Sequence, residues 1–190
     1  VIGQLCAREQ SRRSIVRTTI FTTERLILAS PDMDDCDALC QLWSDPETMR
    51  YIGAGGVWTR EQIVARIERA IGMQRDRGMT FWTVIEKDTG EVIGQGGLVP
   101  IEFNGPEIEL GYRLGKAHWG KGYATEIARA SAAYGFDTLG VEALVAVCYA
   151  ENLPSRCVLT KAGFREAGES DVYYGVNTIV HRMTPSDCVR

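Results

Sequence analysis

Apolar residues recur at helix-like intervals in four parts of the chain. The apolar positions of residues 38–43 and 60–78 repeat at steps of three and four, which predicts two amphipathic helices. An Ala-rich segment that ends near residue 137 repeats in the same way and predicts a third helix. A short fourth helix is expected at residues 154–162, because Gly163 follows it as a stop signal.

Strands are predicted between these helices. Residues 107–114 alternate strictly between apolar and polar positions, which indicates a strand with two different faces. Further strands are predicted to begin at residues 25–28, to form a hairpin from 81–85 and 92 onward, and to lie at 143–149 and 179–183. Because strands precede, separate and follow the helices, the fold class is α/β or α+β around one mixed sheet.

Length and composition indicate one folded domain. A chain of 190 residues with 45% hydrophobic and 24% charged residues can form one domain with a substantial core, and it is short for two. Residues 1–19 lack apolar periodicity and are expected to be a mobile extension. Their arginines are expected to lie in solvent. Residues 20–190 are then the single domain.

Charge and cysteine content exclude several classes of partner. A net charge of -4 disfavours broad contact with nucleic acid or an anionic membrane, because both favour a basic surface. No apolar stretch approaches the roughly 18 residues that a membrane span needs, and a cytoplasmic location is expected. The six cysteines form no C-x-x-C pair and have no histidine at metal-ligand spacing, so reduced thiols and no metal site are expected.

A glycine-spaced loop, GKAHWGKGYAT at residues 115–125, lies between a predicted strand and a predicted helix. Such a loop directs unpaired backbone N–H groups and the positive end of the helix dipole at an anion. Gly115, Gly120 and Lys121 fit the G-x-x-x-x-G-K pattern of nucleotide triphosphatases, but Gly122 replaces the hydroxyl residue that ligates Mg²⁺. The loop therefore predicts a diphosphate site without a catalytic metal, and a plain flexible turn is the alternative.

Motifs around this loop carry a family resemblance. The segment WGKGYATE at 119–126 follows ELGY at 109–112 and precedes ENLPS at 151–155 and KAGF at 161–164. In this order and spacing they resemble the GNAT superfamily of acyl-CoA-dependent N-acetyltransferases. TERLIL at residues 23–28 is similar to the opening of the RimJ/RimL branch, which acetylates ribosomal-protein N-termini. The likeness spans about residues 22–183.

The resemblance implies a fold and a co-substrate. It implies a GNAT-like domain in which a mixed, mostly antiparallel sheet is flanked by helices, and in which splayed strands form a slot for acyl-CoA. Acetyl-CoA is then the co-substrate. The family's cofactor contacts correspond here to Tyr112, Arg113 and Leu114 beside the pantetheine arm, to Trp119, Gly120, Lys121, Gly122, Tyr123, Ala124 and Thr125 around the pyrophosphate, and to Asn152 and Ser155 near the thiol.

The chemistry of acetyl transfer to an amine requires a base, an oxyanion site and a proton for the thiolate. The resemblance implies Glu109 as the base, whereas strand alternation alone leaves it as a carboxylate on a polar face; Glu107 is the fallback. Ser155 is the candidate for protonating the thiolate, with a helix cap as its alternative role and Tyr149 in reserve. Leu159 stands where the family often has a catalytic tyrosine.

Other chemistry-bearing residues are assigned no role in catalysis. His118 is expected to flank the loop, His181 to lie on a late strand, and Cys157 to lack the adjacent base that a nucleophile needs. Trp43, Met49, Tyr51 and Trp58 are expected to line the acceptor end or to belong to the core.

Function is predicted as acetyl transfer from acetyl-CoA to a primary amine in a ternary complex. A non-catalytic module that binds acyl-CoA or a peptide on the same fold is the alternative. The acceptor stays open among an N-terminal Ala or Ser, a polyamine, an aminoglycoside and another small amine, each expected in a partly acidic site. The oligomeric state, a homodimer included, also stays open.

Overall fold

The computed structural model describes residues 17–53 and 55–188. Most of the predicted extension at residues 1–19 therefore lies outside the described residues. The strands are β1 (Thr19–Thr22), β2 (Leu26–Ala29), β3 (Phe81–Glu86), β4 (Val92–Pro100), β5 (Ile108–Leu114), β6 (Leu144–Cys148), β7 (Arg165–Ser170) and β8 (Thr178–Met183). The α-helices are α1 (Cys36–Trp43), α2 (Pro46–Met49), α3 (Arg60–Arg77), α4 (Tyr123–Asp137) and α5 (Leu153–Ala162).

The described strands form one mixed sheet in the order β1-β2-β3-β4-β5-β6-β8-β7. Strand pairs are antiparallel, except that β5 and β6 are parallel. The predicted fold class, a mixed and mostly antiparallel sheet flanked by helices, is thus confirmed. The parallel pair arises because α4, which lies between β5 and β6 in the chain, carries the chain back to the end of the sheet where β5 began.

Helices cover both faces of the sheet. Tyr112 on β5 contacts Ser155 of α5, whereas its neighbour Arg113 stacks on Trp43 of α1. Successive side chains of a strand point to opposite faces, so α5 and α1 lie on opposite sides of β5. On the α1 side a separate core cluster joins α1 and α3 through buried residues such as Leu39 and Ile67.

Helix α3 shows how local sequence sets an element's ends. Thr59 accepts a hydrogen bond from the Gln62 N–H, and the Gln62 side chain accepts one from the Thr59 N–H, which completes the predicted capping box. The helix ends at Gly78, whose φ of 68° is a left-handed conformation that glycine adopts without strain. The predicted span of 60–78 is therefore confirmed.

Three short elements were not predicted. Strand β1 begins at Thr19, the last residue of the predicted extension, and precedes the first predicted strand. Helix α2 is a single turn that begins with Pro46 at its first position. All residues of β7 except Ser170 are exposed, so the strand has no buried apolar alternation and is defined by backbone pairing with β8.

Gly97 in β4 and Gly72 in α3 have different surroundings, and substitution by alanine should therefore change the stability of the protein in opposite directions. A Cβ atom on Gly97 would lie 2.2 Å from the Thr80 carbonyl oxygen and 2.7 Å from the Trp82 ring, whereas a Cβ on Gly72 would meet nothing within 4 Å. We predict that Gly97→Ala lowers the free energy of unfolding by about 2 kcal/mol or more. Gly72→Ala should raise it by roughly 0.5–1 kcal/mol. Urea denaturation of both variants checks the pair, and a Gly97→Ala protein of unchanged stability would contradict the packing described for β4.

Candidate active site

The site lies where β5 and β6 separate. The two strands pair only at Ile108 with Leu144 and at Glu109 with Val145. From residue 110 onward the described chain supplies no strand partner to this side of β5. A cavity of about 370 Å³ occupies the gap and is lined from both strands, from α3 and from the start of α5. The predicted splay, and the slot that it opens, are therefore present.

The glycine loop leads into α4 with its backbone accessible. Gly120 and Gly122 have φ values of 74° and 85°, which a residue with a Cβ adopts only with strain. The first helical hydrogen bond runs from the Glu126 N–H to the Gly122 carbonyl, so the N–H groups of residues 123–125 have no carbonyl partner within the helix. A Cβ on Gly120 would meet nothing within 4 Å, which leaves the loop open to a ligand. The arrangement suits an anion.

The TERL segment holds this loop in place. The Glu126 carboxylate accepts hydrogen bonds from the Thr23 hydroxyl at 2.5 Å, from the Arg25 N–H at 2.9 Å and from Arg25 Nε at 2.8 Å. Arg25 Nη1 also donates to the Lys121 carbonyl at 2.9 Å, and its guanidinium lies over the Tyr123 ring. Residues at the start of the domain thus fix the conformation of the loop about a hundred positions later.

Trp119 and Leu114 connect the loop to the strand before it. Trp119 is 47% exposed, and its Nε1 donates a hydrogen bond to the Leu114 carbonyl at 2.7 Å. The Leu114 side chain is buried in the main core and does not line the cavity. A role for Leu114 in cofactor binding would therefore use its backbone.

Glu109 lies at the vertex of the separated strands and lines the cavity. It is only 7% exposed, and this burial raises the pKa of its carboxyl to about 7, although a hydrogen bond from Tyr174 Oη and the charge of Arg113 act in the opposite direction. A carboxylate that titrates near neutral pH can both accept and release a proton there. The position suits a general base.

Glu107, the fallback, has a different environment. Its carboxylate accepts hydrogen bonds from Tyr173 Oη and from Arg182 Nη1, each at 2.6 Å. The Tyr173 hydrogen bond is the largest cause that holds the pKa of Glu107 below its ordinary value. Glu107 does not line the cavity. Of the two acids, only Glu109 therefore combines access to the cavity with a raised pKa.

A pair of hydroxyl groups, from Tyr112 and Ser155, also lines the cavity, and Tyr112 lies on the opposite face of β5 from Glu109. Tyr112 Oη and Ser155 Oγ are 2.9 Å apart, and burial raises the pKa of the Tyr112 phenol. The cap of α5 is Asn152, whose Oδ1 accepts a hydrogen bond from the Ser155 N–H at 3.2 Å. The alternative prediction that Ser155 caps this helix is therefore wrong, and its hydroxyl is instead paired with Tyr112.

The other predicted residues divide between the cavity and the core. Tyr51, Trp58 and Tyr149 line the cavity, with Tyr149 Oη donating to the Gly53 carbonyl at 2.6 Å. Trp43 and Met49 are fully buried in the cluster beneath α1 and α3, so the interpretation that they line the acceptor end is wrong. His118, His181 and Cys157 do not line the cavity.

Sequence reasoning missed Tyr174, Arg66 and Arg69, which also line the cavity. Tyr174 lies in a loop without periodicity, has a φ of 57°, and donates its N–H to Glu102 Oε1 at 2.6 Å. Arg66 and Arg69 share one face of α3 with Ala70 and Met73, at spacings of three, four and seven. That spacing was the available signal for the arginines, whereas no sequence signal identified Tyr174.

Residues 17–53 and 55–188 contain neither a candidate membrane span nor a candidate metal-binding group. No helix there is long and apolar enough to cross a membrane. No group of three or more His, Cys, Asp or Glu side chains in the same ranges could hold a metal ion.

The sequence matches proteins of known family over most of its length. Residues 25–165 match the family model described as an acetyltransferase (GNAT) domain. The chain is 35% identical over 146 residues to a Bacillus licheniformis protein, the uncharacterized N-acetyltransferase p20. That match covers 77% of this chain and 82% of p20.

Solved structures share the fold. A GNAT-family acetyltransferase from Bacillus anthracis has a TM-score of 0.74 at 25% identity, covering 86% of this chain and 96% of that one. RimL, a ribosomal L7/L12 alpha-N-protein acetyltransferase, has a TM-score of 0.76 at 16% identity, covering 92% of this chain and 98% of that one. At that identity the likeness to RimL shows a shared fold. The resemblance inferred from the motifs is confirmed, and the chain belongs to the GNAT family of N-acetyltransferases.

Proposed function

We propose that this enzyme transfers the acetyl group of acetyl-CoA directly to a primary amine within a ternary complex. The observation that carries the proposal is the position of Glu109, a buried carboxylate with a pKa of about 7 that opens into the cavity where β5 and β6 separate. A base at that vertex can reach an amine that approaches a thioester lying in the slot.

The acetyl-CoA site is proposed along the unpaired side of β5 and the glycine loop. The N–H groups of Tyr123, Ala124 and Thr125, together with the loop at Gly120, Lys121 and Gly122, would bind the pyrophosphate. The backbone of Tyr112, Arg113 and Leu114 would pair with the pantetheine amides, as an added strand pairs with a sheet edge. Asn152 and Ser155 lie beside the cavity at the end where the thiol would arrive.

The proposed reaction needs one proton removed and one supplied. Glu109 accepts the proton of the amine, directly or through a water molecule, because amines are largely protonated near neutral pH. The nitrogen forms a bond to the acetyl carbon, backbone N–H groups near Tyr112 and Arg113 stabilise the oxyanion, and the C–S bond breaks. The Ser155 hydroxyl, hydrogen-bonded to the Tyr112 phenol, donates a proton to the thiolate and takes up, directly or through water, the second proton that the nitrogen loses as the amide forms. The products are then the amide, CoA with a free thiol, and protonated Glu109.

The cysteines support direct transfer over an acetyl-enzyme intermediate. Cys148 lines the cavity, but burial raises the pKa of its thiol to about 11, which leaves little thiolate at neutral pH. Cys157 is exposed and does not line the cavity. A covalent route would need a thiolate within the slot.

We predict that Gly122→Val weakens acetyl-CoA binding by at least 100-fold, because a β-branched residue at a φ of 85° distorts the loop and covers its N–H groups. Gly140→Val is the control: Gly140 has a φ of 68° and lies outside the loop, and a Cβ there would meet nothing within 4 Å, whereas a Cβ on Gly122 would lie 3.4 Å from Arg25 Nη2. Calorimetric titration compares the two. Equal affinities for acetyl-CoA in both variants would reject the loop as the pyrophosphate site.

Glu109→Gln should lower kcat by about 10²- to 10⁴-fold with little change in acetyl-CoA affinity. Wild-type kcat should rise with pH and level off above about 7, as the Glu109 carboxyl loses its proton, and the variant should lose this rise. Thiol release measured from pH 5.5 to 9 checks the profile. Turnover equal to wild type in the variant would remove Glu109 as the base.

Stability provides the control for that variant. The native pKa of Glu109 lies above its unfolded value, so the native state is favoured below pH 4 and loses stability as pH rises from about 4.3 to about 7. Glu109→Gln should therefore be more stable than wild type at pH 8, by up to about 3 kcal/mol, and should show no such gain at pH 4. A less stable variant at pH 8 would contradict the raised pKa.

The Tyr112 and Ser155 hydroxyls should act as one unit. We predict that Tyr112→Phe and Ser155→Ala each lower kcat by roughly tenfold, and that the double variant loses little more than either single variant, because both changes remove the same proton donor. A double-mutant cycle on kcat measures the coupling. If the fold-loss in kcat of the double variant equals the product of the two single losses, or if neither single variant loses kcat, the pair does not protonate the thiolate.

A further inference from the structure

The cavity wall carries an excess of positive charge. Arg66, Arg69 and Arg113 line the cavity, and Glu109 is the carboxylate among its described lining residues. Glu102 lies near Glu109 but does not line the cavity. Its Oε1 accepts a hydrogen bond from the Tyr174 N–H. The expectation of a partly acidic acceptor site is therefore wrong, because three guanidinium groups face at most one carboxylate.

Arg113 is the central member of this cluster. Its guanidinium lies between aromatic rings, with the carbon 4.9 Å from the centroids of Trp43 and Trp58 and 5.5 Å from that of Phe81. Its Nη1 is fully buried and has no hydrogen-bond acceptor among the described residues. Burial lowers the pKa of Arg113 to about 10, so the group stays charged at neutral pH. A buried N–H donor of a cation without an acceptor is unfavourable until a ligand supplies one.

The two helix arginines, Arg66 and Arg69, extend the cluster along α3. Arg66 lies 3.7 Å above the Trp58 ring, and Arg69 lies 5.1 Å from the centroid of Phe103. Burial and the neighbouring charge of Arg69 lower the pKa of Arg66, and the charge of Arg66 in turn lowers that of Arg113. The three cations are thus close enough to repel one another. Aromatic faces contact all three, Arg66 Nη1 also donates to the Gln62 carbonyl at 3.1 Å, and no described carboxylate lies within 4.0 Å of their nitrogens.

Several arginines elsewhere on the described surface are paired differently. Arg25 pairs with Glu126, Arg156 with Glu166 and Arg182 with Glu107, each by a nitrogen–oxygen contact of 2.9 Å or less. Arg50 also stacks on a ring, that of Tyr51, with no described carboxylate within 4.0 Å. The cavity cluster is therefore distinguished by having three such guanidinium groups on one cavity wall. Aromatic stacking orients a guanidinium plane and leaves its N–H edge available to an anion.

We propose that the acceptor is a small amine that also carries a carboxylate or phosphate group, and that Arg113, with Arg66 and Arg69, binds this anionic group. The proposal rests on the proposed acetyltransferase function and assigns its substrate class. The cavity of about 370 Å³ must also admit the end of the pantetheine arm, which favours a small molecule over a folded protein. The aromatic rings of Trp58 and Phe81 would contact the apolar part of the acceptor.

The geometry separates the two functional groups of the acceptor. Glu109 and Arg113 lie on one face of β5, four residues and about 13 Å apart along an extended strand. The amine would lie near Glu109 while the anion contacts Arg113. The cationic wall also favours the neutral form of the amine, since a like charge disfavours an ammonium ion. Polyamines and aminoglycosides, which carry several positive charges, should bind poorly.

A matched pair of acceptors tests the proposal. Thiol release from acetyl-CoA is measured with 4-(aminomethyl)benzoate and with its methyl ester, which differ in the anionic charge and keep the amine and ring. We expect a kcat/KM at least tenfold higher for the carboxylate, in line with a charge-assisted hydrogen bond. The corresponding phosphonate shows which anion is preferred. Equal rates for acid and ester, or faster reaction with spermidine, would overturn the proposal.

Variants assign the preference to the arginines. Arg113→Met should reduce the acid-to-ester ratio to near one, and Arg113→Lys should restore part of it; the lysine variant keeps the test valid if the methionine variant does not fold. Arg77→Met, on the same helix as Arg66 but outside the cavity, is the control and should keep the wild-type ratio. An unchanged ratio in Arg113→Met and Arg113→Lys would overturn the proposal.

Binding measurements separate failure of this proposal from failure of the proposed function. Calorimetry with 4-methylbenzoate, which has no amine, reports the anion site without turnover. If the wild-type protein binds 4-methylbenzoate and Arg113→Met does not, the anion site is supported. This holds even if no amine gives thiol release, and in that case only the proposed function fails. If Arg113→Met instead weakens acetyl-CoA and leaves 4-methylbenzoate unchanged, the arginines serve the donor and the acceptor proposal is overturned.

Discussion

The separation of β5 from β6 after only two pairs of residues is the constraint on which the site depends. Parallel pairing at Glu109 and Val145 fixes the two strands at one end, and the loss of pairing beyond that point creates both the slot and an unpaired edge of β5. Strand alternation then places Tyr112 on one wall and Arg113 on the other. One irregularity in the sheet therefore positions Glu109, the hydroxyl pair and the cationic wall together.

The site keeps its charges in unfavourable surroundings that a ligand would improve. Burial raises the pKa of Glu109, and among the described residues no cation lies within salt-bridge distance of its carboxylate. The buried Nη1 of Arg113 likewise has no hydrogen-bond acceptor among those residues. Both conditions reduce the stability of the free protein. The glycine loop follows the same principle, because its N–H groups are held in place by the Glu126 and Arg25 contacts and have no helical partner. The free protein is thus less stable than it would be if these groups were paired, and the groups are in position to contact a ligand.

Much of this arrangement could be predicted from the sequence, and the rest could not. Strict alternation in β5 and the helical repeats in α3 and α4 predicted those elements, because each buries one face. Strand β7 has exposed side chains and is defined only by backbone pairing, so no apolar pattern marks it. Glu109 and Ser155 were selected through family motifs. Their partner groups, Tyr174 and Tyr112, become neighbours only through tertiary contacts, and the charge of the cavity depends on which face of α3 points inward.

We propose that the unpaired edge of β5 and the glycine loop together bind acetyl-CoA. Hydrogen exchange of the backbone amides, measured with and without acetyl-CoA, tests it most directly. We expect slower exchange at β5 amides beyond Glu109 and at residues 120–125, while amides of β7 and β8 stay unchanged. Saturable binding of acetyl-CoA without protection in either segment would contradict it.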